Sequence, residues 1–192
     1  MAKLTLDKAK EILKKHVTEA HLFTHAEAVS AAMGAMADHF GEDKAHWEAI
    51  GWLHDIDFEK FPTEHCQHVR ELLADEAIDE DDIRAIISHG YGICTKECKP
   101  TTNLEKSLFT VDELTGIVMT TALMRPMGIA DMELKSLKKK FKDKHFAAKC
   151  NRDLIKQGFD LLGLDASIVM QCCIDGMRDH MDSLGLGPKA EA

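Results

Sequence analysis

Trp47-Glu48-Ala49-Ile50-Gly51-Trp52-Leu53-His54-Asp55 reads as the end of a helix with chemistry on its buried side. Trp47, Ile50 and Leu53 recur at helical spacing and face inward along a helix that starts near Asp43. His54 extends that stripe, four residues beyond Ile50, so it also faces the core. A charged Asp55 directly beside a core-facing histidine is costly unless something pairs with both. A metal cation does so, and imidazole with carboxylate suits Mn, Fe, Co, Ni or Zn.

The flanking segments are helical too. Leu22, Ala26, Val29, Met33, Met36 and Phe40 step by four and three, with Gly41 as the stop. Pro62 and Thr63 predict the opening of a third helix, with Thr63 as its N-cap. A fourth runs over Asp79–Ser88, with acids in its first turn and Ile83, Ile86 and Ile87 on one face. Gly90–Asn103 is rich in Gly, Pro and Thr and reads as a loop. A long helix follows from Leu104 to about Met124, stopped by Pro126. The rest holds a Lys-rich segment (Leu134–Lys144), a helix over Ala147–Leu162 and a last helix capped by Asp165. No segment alternates as a strand would. The expected fold is an all-α, single-domain bundle of about seven to nine helices. It divides into an N-terminal helix (1–20), a metal-binding core (21–125), C-terminal helices packing on it (126–185) and a frayed tail (186–192).

Other polar residues sit where apolar ones are expected. His25 precedes Val29 by four and lies beside the apolar face of the first long helix. Leu108, Asp112, Thr115 and Met119 share one face, so Asp112 puts a carboxylate among apolar side chains. His89 follows Ile86 by three and closes the fourth helix. Each alone reads as an ordinary hydrogen-bonded residue. Together, on four separate helices, they predict a buried His/Asp cluster of the kind that helical bundles use to hold metals.

In these residues the chain resembles the HD-domain phosphohydrolases, whose signature is a His, a His-Asp doublet and a distant Asp, each on its own helix. His25 stands in Leu-Phe-Thr-His-Ala-Glu-Ala-Val, the doublet in Gly-Trp-Leu-His-Asp-Ile-Asp, and Asp112 in Thr-Val-Asp-Glu-Leu-Thr-Gly. The resemblance covers roughly residues 20–125. More weakly, Leu123-Met124-Arg125-Pro126-Met127-Gly128 is similar to a compact bacterial and archaeal branch of the family. The resemblance implies a metal held by His25, His54, Asp55 and Asp112. Binuclear relatives carry two further histidines between doublet and final Asp, which here implies His65 and His89, with Asp55 bridging. His68 is the alternative to His65. Glu71-Leu72-Leu73 follows His65 at the interval seen in related sequences, which favours His65. One ion and two ions both stay open, and the two histidines could instead contact substrate phosphate.

The activity this resemblance implies is that of a metal-dependent phosphohydrolase acting on a nucleotide or other small phosphate ester. Asp55 and His54 would be catalytic, and Asp57 would orient a ligand histidine. Lys60, Tyr91, Lys96 and Lys99 are candidate substrate contacts. Alternatives are a di-iron oxygenase on the same scaffold, a catalytically silent nucleotide sensor, or a structural bundle. The Lys138-Lys139-Lys140 run reads as a solvated face, and the stripe Val169, Cys173, Met177, His180 as core or subunit contact.

Composition bounds these readings. The chain has 192 residues, 45% hydrophobic and 30% charged, which fits a globular domain. With 24 basic and 33 acidic side chains its formal charge is −9, unfavourable for nucleic-acid binding. A bound metal would still attract a small anion locally. No apolar run is long enough to span a membrane, and the first residues lack a secretory pattern. The expectation is therefore a cytoplasmic protein with a small-molecule partner, neither nucleic acid nor membrane, and an open oligomeric state that includes a homodimer. Six cysteines (Cys66, Cys94, Cys98, Cys150, Cys172, Cys173) fit reduced thiols. Cys94 and Cys98 are spaced to clip a metal but lack a second pair.

Overall fold

The computed structural model describes residues 3–189. Among the described residues there are nine helices and no β-sheet: α1 (Leu6–His16), α2 (Ala20–Phe40), α3 (Lys44–Leu53), α4 (Val69–Leu72), α5 (Glu80–Ser88), α6 (Asn103–Leu123), α7 (Leu134–Lys142), α8 (Arg152–Leu162) and α9 (Ala166–Asp179). An isolated bridge pairs Tyr91 with Thr95 in the loop after α5. No described helix is long and apolar enough to cross a membrane.

Local chemistry sets most of the ends. Thr5, Asp43, Asp79, Thr102, Asn151 and Asp165 each cap a helix by accepting a backbone N–H in the first turn. Thr102 and Glu105 form a full capping box on α6. Gly41 closes α2 in the left-handed region, φ 71°.

Helix α2 is the centre of the bundle, packed by α3, α6 and α9. Its Met33 and Met36 are fully buried, each contributing roughly 1.5–3 kcal/mol of burial. Its small residues let neighbours come close. A Cβ at Gly51 of α3 would lie 2.9 Å from Ser30 Cα and 3.0 Å from Ser30 N of α2. One residue on, a Cβ at Gly176 of α9 would collide with the backbone carbonyl of Ala31. Only glycine permits either crossing.

Three local expectations are corrected. The third helix predicted from Thr63 is a string of turns, with only the single turn α4 at its end. The chain wraps around the buried Asp57 carboxylate, which pairs with His65 Nδ1 at 2.7 Å and accepts the His68 N–H at 3.2 Å. Cys66 between them adopts φ 67°, which a helix cannot contain. Helix α8 begins at Arg152, not Ala147, because Ala147 takes φ 46° and Asn151 supplies the cap. The Arg152 guanidinium then donates to the carbonyls of Phe141, Asp143 and Phe146 at 2.8, 2.9 and 2.5 Å, tying down the preceding turn. The segment expected to fray after Gly185 is docked. Leu186 is buried, its carbonyl accepts Ile129 N–H at 2.8 Å, and Lys189 N–H reaches Pro126 O at 2.9 Å. Residues 190–192 of that tail lie outside the described residues.

Candidate metal centre

Six side chains converge where α2, the ends of α3 and α5, and the middle of α6 meet. His25 comes from α2, and His54 is the C-cap of α3 with Asp55 next. His65 comes from the turns around Asp57, His89 is the C-cap of α5, and Asp112 comes from α6. Glu59 holds one corner: its carboxylate accepts Thr18 N–H at 2.8 Å, Thr18 Oγ1–H at 2.6 Å and Glu19 N–H at 3.0 Å. The turn after the doublet is thereby tied to the start of α2, and so to His25.

The donor atoms form two sets that share Asp55. In the first, His25 Nε2 lies 3.2 Å from His54 Nε2 and 3.0 Å from Asp112 Oδ1. His54 Nε2 is 3.4 Å from the same Asp112 oxygen. Asp55 Oδ2 sits 3.4 Å from His25 Nε2 and 3.3 Å from His54 Nε2. In the second, His65 Nε2 and His89 Nε2 are 2.9 Å apart, and Asp55 Oδ1 lies 3.2 and 3.5 Å from them. Neighbouring ligands of a cation with bonds of about 2.0–2.2 Å are roughly 2.8–3.6 Å apart in octahedral or tetrahedral geometry. Both sets fit that spacing.

The imidazoles are also oriented for it. His54 Nδ1–H donates to Gly51 O at 2.7 Å, and His89 Nδ1–H to Ile86 O at 2.5 Å. His65 Nδ1–H donates to Asp57 Oδ1 at 2.7 Å. With each Nδ1 engaged as donor, each Nε2 presents its lone pair to the centre. Asp57 thus fixes the His65 ring with its Nε2 toward Asp55.

Without a cation the centre has to hold protons. Burial opposes charging His54, but Asp55 and Asp112 outweigh it and raise its pKa well above 6.5. Burial likewise opposes charging His65, yet Asp55 and Asp57 push it up to about 10. Burial works against ionised Asp55 and Asp112, but the facing histidines hold both well below the usual carboxylate range. His65 is therefore protonated at pH 7 in the stripped protein, and His54 is shifted in the same direction. Their folded values exceed the unfolded one, so this contribution to stability is full below about pH 6.5 and fades as pH rises through the folded values. A cation must displace these protons. Calorimetry of Co²⁺ uptake near pH 7, in buffers of different ionisation enthalpy, is expected to show proton release. Apparent affinity should rise about tenfold per pH unit for each proton displaced. An affinity flat between pH 6.5 and 8.5 would contradict this protonation scheme.

The centre opens into a cavity of about 520 Å³, lined in part by Leu22, Phe58, Ile93, Cys94, Glu113 and Cys150. None of the four expected substrate contacts lines it. Lys60 Nζ lies 3.0 Å from His16 Nδ1, and Tyr91 is engaged in its bridge to Thr95. Lys96 lines an adjoining groove, and Lys99 is exposed, with its carbonyl accepting from Arg84. His68 also points elsewhere. It stacks on Phe61 with centroids 3.7 Å apart and pairs with Glu64 and Glu71 at 3.5 and 3.0 Å. His65 is the one that enters the centre.

Two features have no local signal in the sequence. Cys66 Sγ lies 3.7 Å from His89 Nε2, beside Cys94. Its hydrogen bond to Cys94 and its burial push the Cys66 thiol up, while Cys94 is brought down to about 7. Cys66 therefore stays a neutral thiol and a weak ligand. No disulfide joins the described cysteines. The other feature is Glu113, directly after Asp112, whose carboxyl burial pushes up while Asn151 N–H, donating at 2.8 Å, pulls it down.

No curated protein and no solved structure matches the chain. A family model described as HD domain matches residues 22–117, half of its length. That span opens one turn before His25 and closes just beyond Asp112, taking in every donor of the centre, and the chain belongs to the HD domain family.

Proposed function

We propose that this protein is a metal-dependent phosphohydrolase acting on a small phosphate ester. The observation that carries this reading is the divided role of Asp55. Its two oxygens face two pairs of imidazole Nε2 atoms, at the floor of an open cavity. Divalent cations held there supply Lewis acidity to a phosphoryl group and lower the pKa of a bound water from 15.7 to about 7.

The chain's own residues do the rest. Asp57, Gly51 O and Ile86 O hold three imidazoles in one tautomer, so the donor set is preorganised. Asp55, between the two sets, orients the attacking water, and Asp112 balances the charge on the α6 side. Leu22 and Phe58 form apolar walls that thin the water around the reacting phosphorus and strengthen electrostatic contacts there. The water oxygen bonds to phosphorus as the bond to the ester oxygen breaks, and the proton lost by the water passes by way of Asp55 to the departing ester oxygen, which leaves as the alcohol.

The test begins with protein purified without a histidine tag or chelator and loaded in turn with Mn, Fe, Co, Ni or Zn. A panel of phosphomonoesters and diesters should then show turnover that chelation abolishes. Full metal occupancy with no turnover of any ester overturns the reading. Paired imidazole sets bridged by a carboxylate also suit two irons, so bound iron with an optical charge-transfer band and oxygen consumption would move the assignment to a di-iron oxygenase.

A further inference from the structure

A phosphate-binding cavity ordinarily brings lysine or arginine to the anion. Among the described residues no lysine or arginine lines this one. Its rim carries His21, which is exposed and 3.8 Å from Glu19. Its walls are Leu22, Phe58 and Ile93. Among the described residues, the sole acidic side chain of the lining outside the donor set is Glu113. One Glu113 oxygen, Oε2, accepts Asn151 N–H at 2.8 Å, which fixes the carboxylate. The other, Oε1, makes no hydrogen bond or ion pair with the described residues. Lys96 lies beyond Ile93 and Cys94, in the adjoining groove.

This distribution discriminates between substrates. One phosphoryl group can be neutralised by cations in the centre. A second anionic group on the same molecule would meet no lysine or arginine among the described lining residues and would face Glu113, Asp112 and Asp55. An ammonium group on a short apolar arm meets the opposite situation. Its methylenes would pack on Leu22 and Phe58, and its charge would pair with the Glu113 carboxylate in the cavity lining. We propose, resting on the phosphohydrolase reading, that the substrate is a small phosphomonoester bearing an ammonium group rather than a nucleotide di- or triphosphate, and that Glu113 is the specificity-determining residue.

The metal-loaded protein would be assayed on O-phosphoethanolamine and on 2-phosphoglycolate, which share two carbons and differ in the sign of the second charge. Binding of 3-aminopropylphosphonate and 3-phosphonopropionate, which cannot be hydrolysed, would be measured by calorimetry. The ammonium compound is expected to be favoured at least about tenfold in both kcat/KM and affinity. Glu113→Gln keeps an acceptor for Asn151 and should shrink the preference to within about threefold, and Glu113→Lys should reverse it. Metal content and thermal unfolding of each variant identify any that fail to load or fold. Preference for the carboxylate compound, or a wild-type preference unchanged in a loaded, folded Glu113→Gln, overturns the inference. So does a preference that follows Lys96→Ala instead. Both esters turned over equally would sink the selectivity and leave the hydrolase standing. Selective phosphonate binding without turnover of any ester would sink the hydrolase reading and keep Glu113 as the selector.

Discussion

Asp55→Ala is expected to empty both halves of the centre at once. Wild-type protein should carry about one to two equivalents of transition metal, and the variant about a tenth of an equivalent or less. Either oxygen of this one carboxylate serves a different pair of histidines, at 3.3 and 3.4 Å on the His54 side and 3.2 and 3.5 Å on the His65 side. Its removal takes a donor from each. It also removes the main negative charge between imidazoles whose Nε2 atoms are only 2.9–3.2 Å apart. On the proposed reading, ester hydrolysis in the presence of added metal should fall by at least about a thousandfold, because positioning and charge stabilisation are lost together. Metal analysis after gel filtration, beside the activity assay, provides the check. Asp55→Ala with wild-type metal content would mean that Asp55 bridges nothing and that the two histidine sets bind independently.

Gly51→Val should damage both the fold and the centre. The new side chain meets the backbone of Ser30 at about 3 Å rather than a flexible side-chain tip, so α3 and α2 must separate. Overpacking of this kind costs about 3 kcal/mol. For a domain of this size that corresponds to a melting temperature lower by roughly 6–12 °C. Gly51 O also accepts His54 Nδ1–H, and the separating helices carry His25 and His54. Metal affinity should therefore fall by more than the loss of stability alone explains. Calorimetric melts with and without metal would show it: the variant should lose part of the metal-induced rise in melting temperature. A variant that melts within about 2 °C of wild type would show that the crossing has room the packing does not reveal.

Helical periodicity was legible in the sequence because it is local. The stripe of α2, the Trp47–Leu53 face of α3 and the long α6 bury the residues their spacing assigns inward, with Phe40 and Met119 only partly covered. Capping residues likewise announce their own helices, as Asp43, Asp79 and Asp165 do. Residue order also singled out His25, His54, Asp55, His89 and Asp112, since a polar group on an apolar face is visible in one dimension. The turns at 62–68 were not, because there the hydrogen bonds of Asp57, eight residues before His65 and eleven before His68, outcompete the helix signal at Pro62 and Thr63. That rearrangement is what separates His65 from His68.

Nor could the sequence place the cavity wall. Lys60, Lys96 and Lys99, near the site in sequence, do not line it, and Glu113 does because α6 presents two successive carboxylates toward one opening. By itself the sequence determined which faces are buried and which polar residues they carry. Only the tertiary structure decided which of those residues meet. Meeting depends on how closely the helices cross, and here that distance is set by contacts such as Gly51 on Ser30 and Gly176 on Ala31, which involve residues far apart in the chain.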